Sequence, residues 1–238
     1  MTLDNSLTPQ TLLRHGALLF FAVLNFSMLC VSVIMGYKLI SFMGFTLSAG
    51  IFAFPLSYVC EDIVAEVYGY RVSRLLIWVT FSCLLIFSLF ITFLVKIQPA
   101  SVWHNEQAYV LALGGTLRLA LAIVFSVIIG DFINAILLTK WKVLLKGKSY
   151  WLRSLGSTTL GELSDTFIGF GIAFIGVLPF SAYLKIAALT FLVKLFWTVL
   201  FVFPASLIVV IMKKKLQLNV FDYETNFNPF ALGLGRKE

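Results

Sequence analysis

Seven ionisable side chains lie inside long apolar runs of the sequence, and they are the residues best placed to do chemistry. They are Glu61, Asp62, Arg118, Asp131, Glu162, Asp165 and Lys194. A charge at the centre of a membrane helix costs roughly 2.5–3.5 kcal/mol, so such residues normally face a partner or a hydrated cavity. Carboxylates that converge with aromatic rings suit a flat heterocycle rich in hydrogen-bond donors, because a carboxylate accepts two parallel bonds and the rings stack on the ligand.

The second apolar run carries its acids close to its end. Tyr58, Asp62 and Glu66 are four residues apart and share one face of a helix, whereas Glu61 lies about 100° around it. We expect Asp62 to point inward. Glu61 and Glu66 have a simpler alternative, which is to pair at the membrane interface with the arginines that follow the run.

The fifth run contains two acids among glycines and hydroxyl residues, and the sixth contains a lysine. Glu162 and Asp165 are three residues apart, so they are neighbours on a helix surface. Lys194 would lose its proton in apolar surroundings unless a carboxylate held it, which predicts a pair with Asp165 or Glu162. The alternative is a glycine and serine packing face in which one acid pairs with Lys194 and nothing binds.

The fourth run places polar residues at two depths. Asp131 and Asn134 are three residues apart and therefore adjacent, whereas Arg118 lies about 20 Å from Asp131 along the helix axis. Arg118 and Asp131 cannot pair with each other, so each is expected to have a partner on another helix. Arg118 has the alternative of extending to the outer interface.

Membrane helices are the elements that must position these residues. The chain has 238 residues, of which 60% are hydrophobic and 12% are charged, whereas a soluble domain is about a quarter charged. Six continuous apolar runs have the length of a transmembrane helix, about 20 residues. They cover approximately residues 16–36, 44–64, 75–95, 113–138, 157–178 and 186–212. Polarity does not alternate along them, which favours helices over a barrel.

These runs predict an all-α polytopic membrane protein, a single domain of six transmembrane helices over residues 1–238. Residues 1–15 and 213–238 are predicted to be short tails. Pro55 is expected to loosen the second helix, because proline removes a backbone donor.

The lysines and arginines predict how the chain is oriented. Thirteen of the 18 lie on the side that contains both termini and three on the other. Cytoplasmic loops carry such an excess, so both termini are predicted to be cytoplasmic. The same placement explains the net charge of +7 without a nucleic acid partner. The three cysteines lie in separate runs without metal-ligand spacing, so we predict no metal site.

Three segments of the sequence resemble the queuosine precursor transporters of bacteria: FAFPLSYVCEDIVAEVYGYRVSR, GELSDTFIGFGIAF and FLVKLFWTVLFVFP. The similarity extends from about Phe42 to Lys215. It implies six spans in the bacterial inner membrane and import of 7-deazaguanine bases, such as 7-cyano-7-deazaguanine and its aminomethyl form, for tRNA modification. The site residues that it implies are Asp62, Arg118, Ser164, Asp165, Thr166 and Lys194. The fourth span of this family carries a glutamine and then an acid, whereas here Asp131 precedes Asn134. With Glu162, we include both residues in the predicted substrate-binding set.

Three functions are compatible with this pattern. The first is a transporter that works alone, in which Asp165 and Glu162 bind the donor edge of the substrate, Asp62 assists, Lys194 sets the local charge and Arg118 orders the outer gate. The second is the substrate-binding subunit of a multi-component importer, which needs a separate ATPase because the chain has no phosphate-binding loop. An intramembrane enzyme is disfavoured, because the sequence contains none of the usual hydrolase or protease motifs. The transporter readings need a small-molecule substrate and lipid, with no cofactor, and leave the oligomeric state open.

Overall fold

The chain folds into helices of very different lengths. The computed structural model describes residues 8–36, 38–42, 44–174 and 179–231. Its α-helices are α1 (Pro9–Met35), α2 (Phe54–Tyr68), α3 (Tyr70–Val95), α4 (Glu106–Leu113), α5 (Thr116–Leu144), α6 (Tyr150–Phe174) and α7 (Phe180–Leu216). A two-stranded antiparallel hairpin, β1 (Leu39–Phe42) and β2 (Phe45–Ser48), and a 3-10 helix (Ala49–Phe52) join α1 to α2. The all-α prediction is confirmed, with this hairpin as the departure from it within the described residues.

Several helices are long and apolar enough to cross a membrane. Within the described residues there are four such segments: Pro9–Met35, Tyr70–Val95, Glu106–Leu144 and Tyr183–Leu216. Large apolar side chains on them, such as Phe20, Phe90 and Phe203, are exposed at the outer surface of the protein. This is the surface of a multi-pass membrane protein, because lipid solvates apolar side chains that water does not. Helices α2 and α6, which carry five of the acids, lie outside these four, and the count of six spans and the position of the termini stay predictions.

Helix α2 begins at Phe54, well after residue 44, where the second predicted span starts. Gly44 lies in the turn between β1 and β2 with φ +81°, a conformation that glycine adopts without strain. Pro55 lies in the first turn of α2, where its missing N–H has no intrahelical partner to lose. The prediction that Pro55 loosens this helix is therefore wrong, because the proline starts it.

Helix α2 lies at the centre of the bundle. It contacts α1, α3, α5 and α7. Thirteen of its 15 residues are buried, whereas a helix at a protein surface buries one stripe. The acids of α2 therefore lie in the interior, and each must find partners there.

Two glycines allow α5 and α6 to touch backbone to backbone. A methyl group on Gly130 would lie 2.7 Å from the carbonyl oxygen of Gly161, and one on Gly161 would lie 2.7 Å from the carbonyl oxygen of Gly130. These distances are too short for a side chain, so only glycine permits this approach. The contact brings the polar residues of α5 against those of α6.

The residues after α7 form an ordered segment that lies against α2 and α3. We call residues 217–231 the C-terminal segment. The Val220 amide donates to the carbonyl oxygen of Val67 at 3.3 Å. Arg74 donates to the carbonyl oxygens of Asn226 at 3.0 Å and Asn228 at 2.9 Å. The C-terminal segment is thus anchored to the helix junction that follows the acids of α2.

Candidate functional site

Asp62 joins α2 to α5 and α6 through hydrogen bonds from neutral groups. Its Oδ1 accepts from Asn134 Nδ2 at 2.6 Å. Its Oδ2 accepts from Thr158 Oγ1 at 2.9 Å and from the Ser154 hydroxyl. Both oxygens are satisfied, so Asp62 acts as a connector between three helices.

Lys194 of α7 forms an ion pair with Asp165 of α6, one of its two predicted partners. Nζ lies 2.5 Å from Oδ2, and both side chains are buried. The other oxygen of Asp165 accepts from Ser126 Oγ of α5 at 3.0 Å. The lysine Nζ also lies 4.1 Å from the centroid of the Phe54 ring, which adds a cation–π contact. Each oxygen of Asp165 therefore has a hydrogen-bond partner, and Lys194 contacts both a carboxylate and an aromatic ring.

Glu162 is an acid of α6 whose hydrogen bonds are incomplete. Its Oε1 accepts from Thr198 Oγ1 at 3.0 Å, whereas its buried Oε2 has no hydrogen-bond partner within the described part of the chain. The Thr166 hydroxyl, one turn further along α6, and the Trp197 indole nitrogen are also buried without a described partner. A buried polar atom left unpaired costs roughly 1–3 kcal/mol, so a ligand that pairs with these atoms removes that cost.

Aromatic rings lie beside these unpaired atoms. Trp197 stacks on Phe201 of the same helix, with ring centroids 5.6 Å apart and planes inclined by 19°. Phe52, in the 3-10 helix before α2, meets Trp197 edge-on at 5.5 Å. Such rings offer flat apolar surfaces to a planar ligand.

Glu61 of α2 and Asp131 of α5 meet without a cation between them. Their carboxyl groups are hydrogen-bonding neighbours, and no ion pair among the described residues involves either acid. Asn25 of α1 donates its Nδ2 to Glu61 Oε1 at 2.8 Å. The Tyr58 hydroxyl lies beside Asp131 without a hydrogen bond of good geometry.

A small cavity lies between α2, α6 and α7. Its polar lining consists of Tyr58, Asp62, Ser154, Thr158 and Thr198. It has room for about one water molecule. A purine-sized ligand is much larger, so its binding requires these helices to separate. Among the described residues, no three His, Cys, Asp or Glu side chains are grouped to hold a metal ion.

The structure brings most of the predicted site residues into one buried group, which we call the polar cluster. From the predicted set it contains Asp62, Asp131, Asn134, Glu162, Asp165, Thr166 and Lys194. Arg118 lies outside it, because it is exposed in the first turn of α5. Ser164 also lies outside: it is half-buried and donates to the carbonyl oxygen of Leu160 in its own helix at 3.0 Å.

Five members of the polar cluster were not predicted: Asn25, Ser126, Ser154, Thr158 and Thr198. Ser154, Thr158 and Glu162 are spaced by four residues and form a stripe on one face of α6, so periodicity could have found two of them. Ser154 was overlooked because it precedes the predicted start of the fifth span. Asn25 and Ser126 are isolated polar residues in apolar runs, and nothing in their spacing connects them to an acid.

Glu66, near the end of α2, is surrounded by cations. Arg153 donates to it through both terminal nitrogens at 2.8 and 3.0 Å, Lys213 also binds it, and Lys142 Nζ lies 4.0 Å away. Burial alone would raise the pKa of Glu66, but the Arg153 hydrogen bonds and the charges of Lys142 and Lys213 hold this pKa below its usual value. The alternative of pairing with the arginines just after the run is wrong for Glu66, because Arg74 is directed to the C-terminal segment.

Comparison with known proteins gives a consistent result. The model of the family described as "Putative vitamin uptake transporter" matches residues 48–209. A "Probable queuosine precursor transporter" of Bacillus subtilis (strain 168) is 26% identical over 180 residues, which cover 75% of this chain and 78% of that protein. A protein of the same name from Haemophilus influenzae (strain ATCC 51907 / DSM 11121 / KW20 / Rd) is 26% identical over 175 residues, or 72% of each chain. No solved structure matches.

Proposed function

Since the chain belongs to the vitamin uptake transporter family, whose model matches most of its length, we propose that it imports 7-deazaguanine precursors of queuosine. It is a transporter of the bacterial inner membrane, and it moves a small molecule rather than transforming it. Two relatives named for queuosine precursors support the choice of substrate. The polar cluster supports it independently, because its unpaired groups suit a flat base that is rich in donors.

The observation that carries the proposal is the buried, unpaired Oε2 of Glu162. The pyrimidine edge of a 7-deazaguanine presents a ring N–H next to an amino group, which is the donor pair that a carboxylate accepts. Oε1 takes part as well, because the bond from Thr198 uses only one of its lone pairs. Trp197 and Phe201 supply a surface on which the ring system can stack.

The remaining acids have supporting roles in this proposal. Asp165 was expected to share the donor edge with Glu162, but its charge is already paired with Lys194 and it also accepts from Ser126, whereas Glu162 Oε2 has no partner among the described residues. We therefore assign the donor edge to Glu162 and the positioning of α6 against α7 to Asp165 and Lys194. Asp62 supports the site by connecting α2, α5 and α6. Arg118 stays a candidate for ordering the outer gate.

Transport also needs the site to open. The cavity beside Asp62 has room for about one water molecule, so the base enters only when α7 moves away from α2 and α6. Pro204 lies inside α7, where proline leaves a backbone carbonyl without its helical donor and favours a bend. We propose that α7 bends there to admit the substrate.

The experiment that tests this is uptake of labelled 7-cyano-7-deazaguanine by bacteria that lack their own route. Glu162→Gln replaces one acceptor oxygen with a donor, and losing a hydrogen bond to a charged group costs about 1.5–3 kcal/mol. Uptake at limiting substrate is therefore expected to fall roughly 10- to 100-fold. Glu224→Gln makes the same chemical change at an exposed residue of the C-terminal segment and is the matched control.

Purified protein separates the proposal from its alternative. In liposomes that contain only this chain, the proposed transporter exchanges external labelled base for internal unlabelled base. A subunit that depends on a separate ATPase does not. Uptake in cells together with a complete absence of exchange in liposomes would favour the alternative.

A further inference from the structure

The Glu61–Asp131 pair has no part in the substrate contacts proposed above, and its geometry implies a ligand of its own. The two carboxyl groups are hydrogen-bonding neighbours. A carboxylate has no donor, so a hydrogen bond between two carboxyl groups requires a proton on one of them. If both were ionised, the same contact would place two like charges together in the interior, with no lysine or arginine paired to either among the described residues.

A second observation points to the same ligand. The Tyr58 hydroxyl beside Asp131 and the Asn25 Oδ1 next to Glu61 are both buried and without a described hydrogen-bond partner, in side chains that are 1% and 0% exposed. Tyr58 can donate to Asp131 when the pair gives up its proton. Tyr58 also lines the water-sized cavity beside Asp62, which brings the pair next to the proposed substrate path.

Within the described part of the chain, the groups that face the pair offer it no cation with which to form an ion pair. From α2 and α6 they are Tyr58, Cys60, Asp62 and Asp165. Asn25 of α1 is uncharged, and Lys194 of α7 is held by Asp165. A proton is therefore the cation that these surroundings accommodate most directly.

We infer that Glu61 and Asp131 together bind one proton, which crosses the membrane with the substrate, an inference that rests on the proposed import function. With the proton in place, the pair holds α2 against α5. Without it, two carboxylates repel each other across the same interface, so the packing of the central helix depends on whether the proton is bound. Proton binding from outside and release inside then drive the change in access.

The test uses the full chain in liposomes with labelled 7-cyano-7-deazaguanine. An inward proton gradient is expected to drive accumulation by the wild type, and a protonophore is expected to abolish it. Asp131→Asn, checked for folding by its unfolding temperature in detergent, should lose the gradient-driven accumulation, so that its uptake is the same with and without the inward gradient. Glu61→Gln should lose the dependence on the gradient in the same way, which guards against one variant failing to fold. Glu224→Gln should accumulate substrate as the wild type does.

Infrared spectroscopy supplies a readout that does not depend on transport. The wild type is expected to show the carbonyl band of one buried protonated carboxyl group, and Asp131→Asn is expected to lose it. Two results would overturn the proton site and leave the import function standing. One is a wild type that exchanges substrate normally but accumulates it equally with and without the gradient. The other is gradient-driven accumulation by Asp131→Asn. Absence of both exchange and uptake in the wild type would overturn the import function, and the coupling with it.

Discussion

Glu61 and Glu66 lie on the same helix and are both almost completely buried, but their surroundings are opposite. Glu66 accepts from both terminal nitrogens of Arg153, binds Lys213 and has Lys142 within 4.0 Å. Glu61 has an amide donor from Asn25 and a second carboxyl group as its neighbour. Three cations surround Glu66, whereas none of the described lysines or arginines forms an ion pair with Glu61.

This difference separates acids that hold the fold from acids that can bind. A carboxylate whose oxygens are all satisfied gains little from a ligand and would have to break its present bonds to accept one. A carboxylate with an unpaired oxygen, or one that meets another acid, gains from a donor or a proton. By this criterion we propose that Glu66, Asp62 and Asp165 are structural, that Glu162 binds the substrate and that the Glu61–Asp131 pair binds a proton.

The largest effect is expected on removing the main partner of Glu66. Arg153→Met leaves a buried carboxylate with poorer compensation, and breaking a buried ion pair typically costs about 3–5 kcal/mol. The unfolding temperature in detergent should fall markedly. Arg71→Met removes an arginine from an exposed position of α3 and should change stability by less than about 0.5 kcal/mol. Equal unfolding temperatures for the two variants would show that the cations around Glu66 are not needed for the fold.

The Asp165–Lys194 pair allows the same argument within the polar cluster. Lys194→Met leaves Asp165 buried without its cation, at a cost of about 3 kcal/mol. Asp165→Asn combined with Lys194→Met removes both charges and should recover most of that loss in a denaturation experiment. Each single variant, Asp165→Asn or Lys194→Met, is also expected to transport poorly, because the ion pair no longer holds α6 against α7. Normal uptake by both would mean that the pair does not position the substrate site.

The sequence could predict part of this arrangement, because few residues inside the apolar runs carry a charge that could pair with a buried ion. Lys194 is a base inside the last apolar run, and the two acids of the run before it are the natural candidates for its partner. The inward position of Asp62 followed from its place within the second run. These inferences need only the cost of burying a charge.

The other contacts could not be predicted, because they join residues that are far apart in the sequence. The cations of Glu66 come from α5, α6 and α7, and Arg74, which follows it closely in sequence, donates to the C-terminal segment instead. The contact between Glu61 and Asp131 arises because α2 is buried on nearly every side, which hydropathy did not reveal. The hairpin before α2 turns at Gly44, which is also the first residue of an apolar run long enough to be predicted as a membrane span.

A smaller contrast is expected between two adjacent acids of α2. Asp62→Asn replaces an acceptor with an amide nitrogen that faces hydroxyl or amide donors, and an unsatisfied buried group costs roughly 1–3 kcal/mol. Glu61→Gln keeps a donor toward Asp131, as the protonated acid does, and should cost less than about 1 kcal/mol. Chemical denaturation of both variants in the same detergent measures the difference. Glu61→Gln being the more damaging of the two would contradict a shared proton.

The smallest effect concerns acid pH and Glu66, which lies beyond the end of the predicted second span. Its pKa in the folded protein is below the usual value of about 4.3, because the Arg153 hydrogen bonds and the charges of Lys142 and Lys213 outweigh the effect of burial. A group with a lowered folded pKa stabilises the protein above its unfolded pKa and loses this contribution as the pH falls through the folded one. The unfolding temperatures of the wild type and Glu66→Gln should therefore differ most near neutral pH and approach each other as the pH falls below the unfolded pKa of about 4.3. Glu224→Gln should follow the wild type throughout, and a gap between wild type and Glu66→Gln that widened on acidification would reverse the sign on which the structural assignment of Glu66 depends.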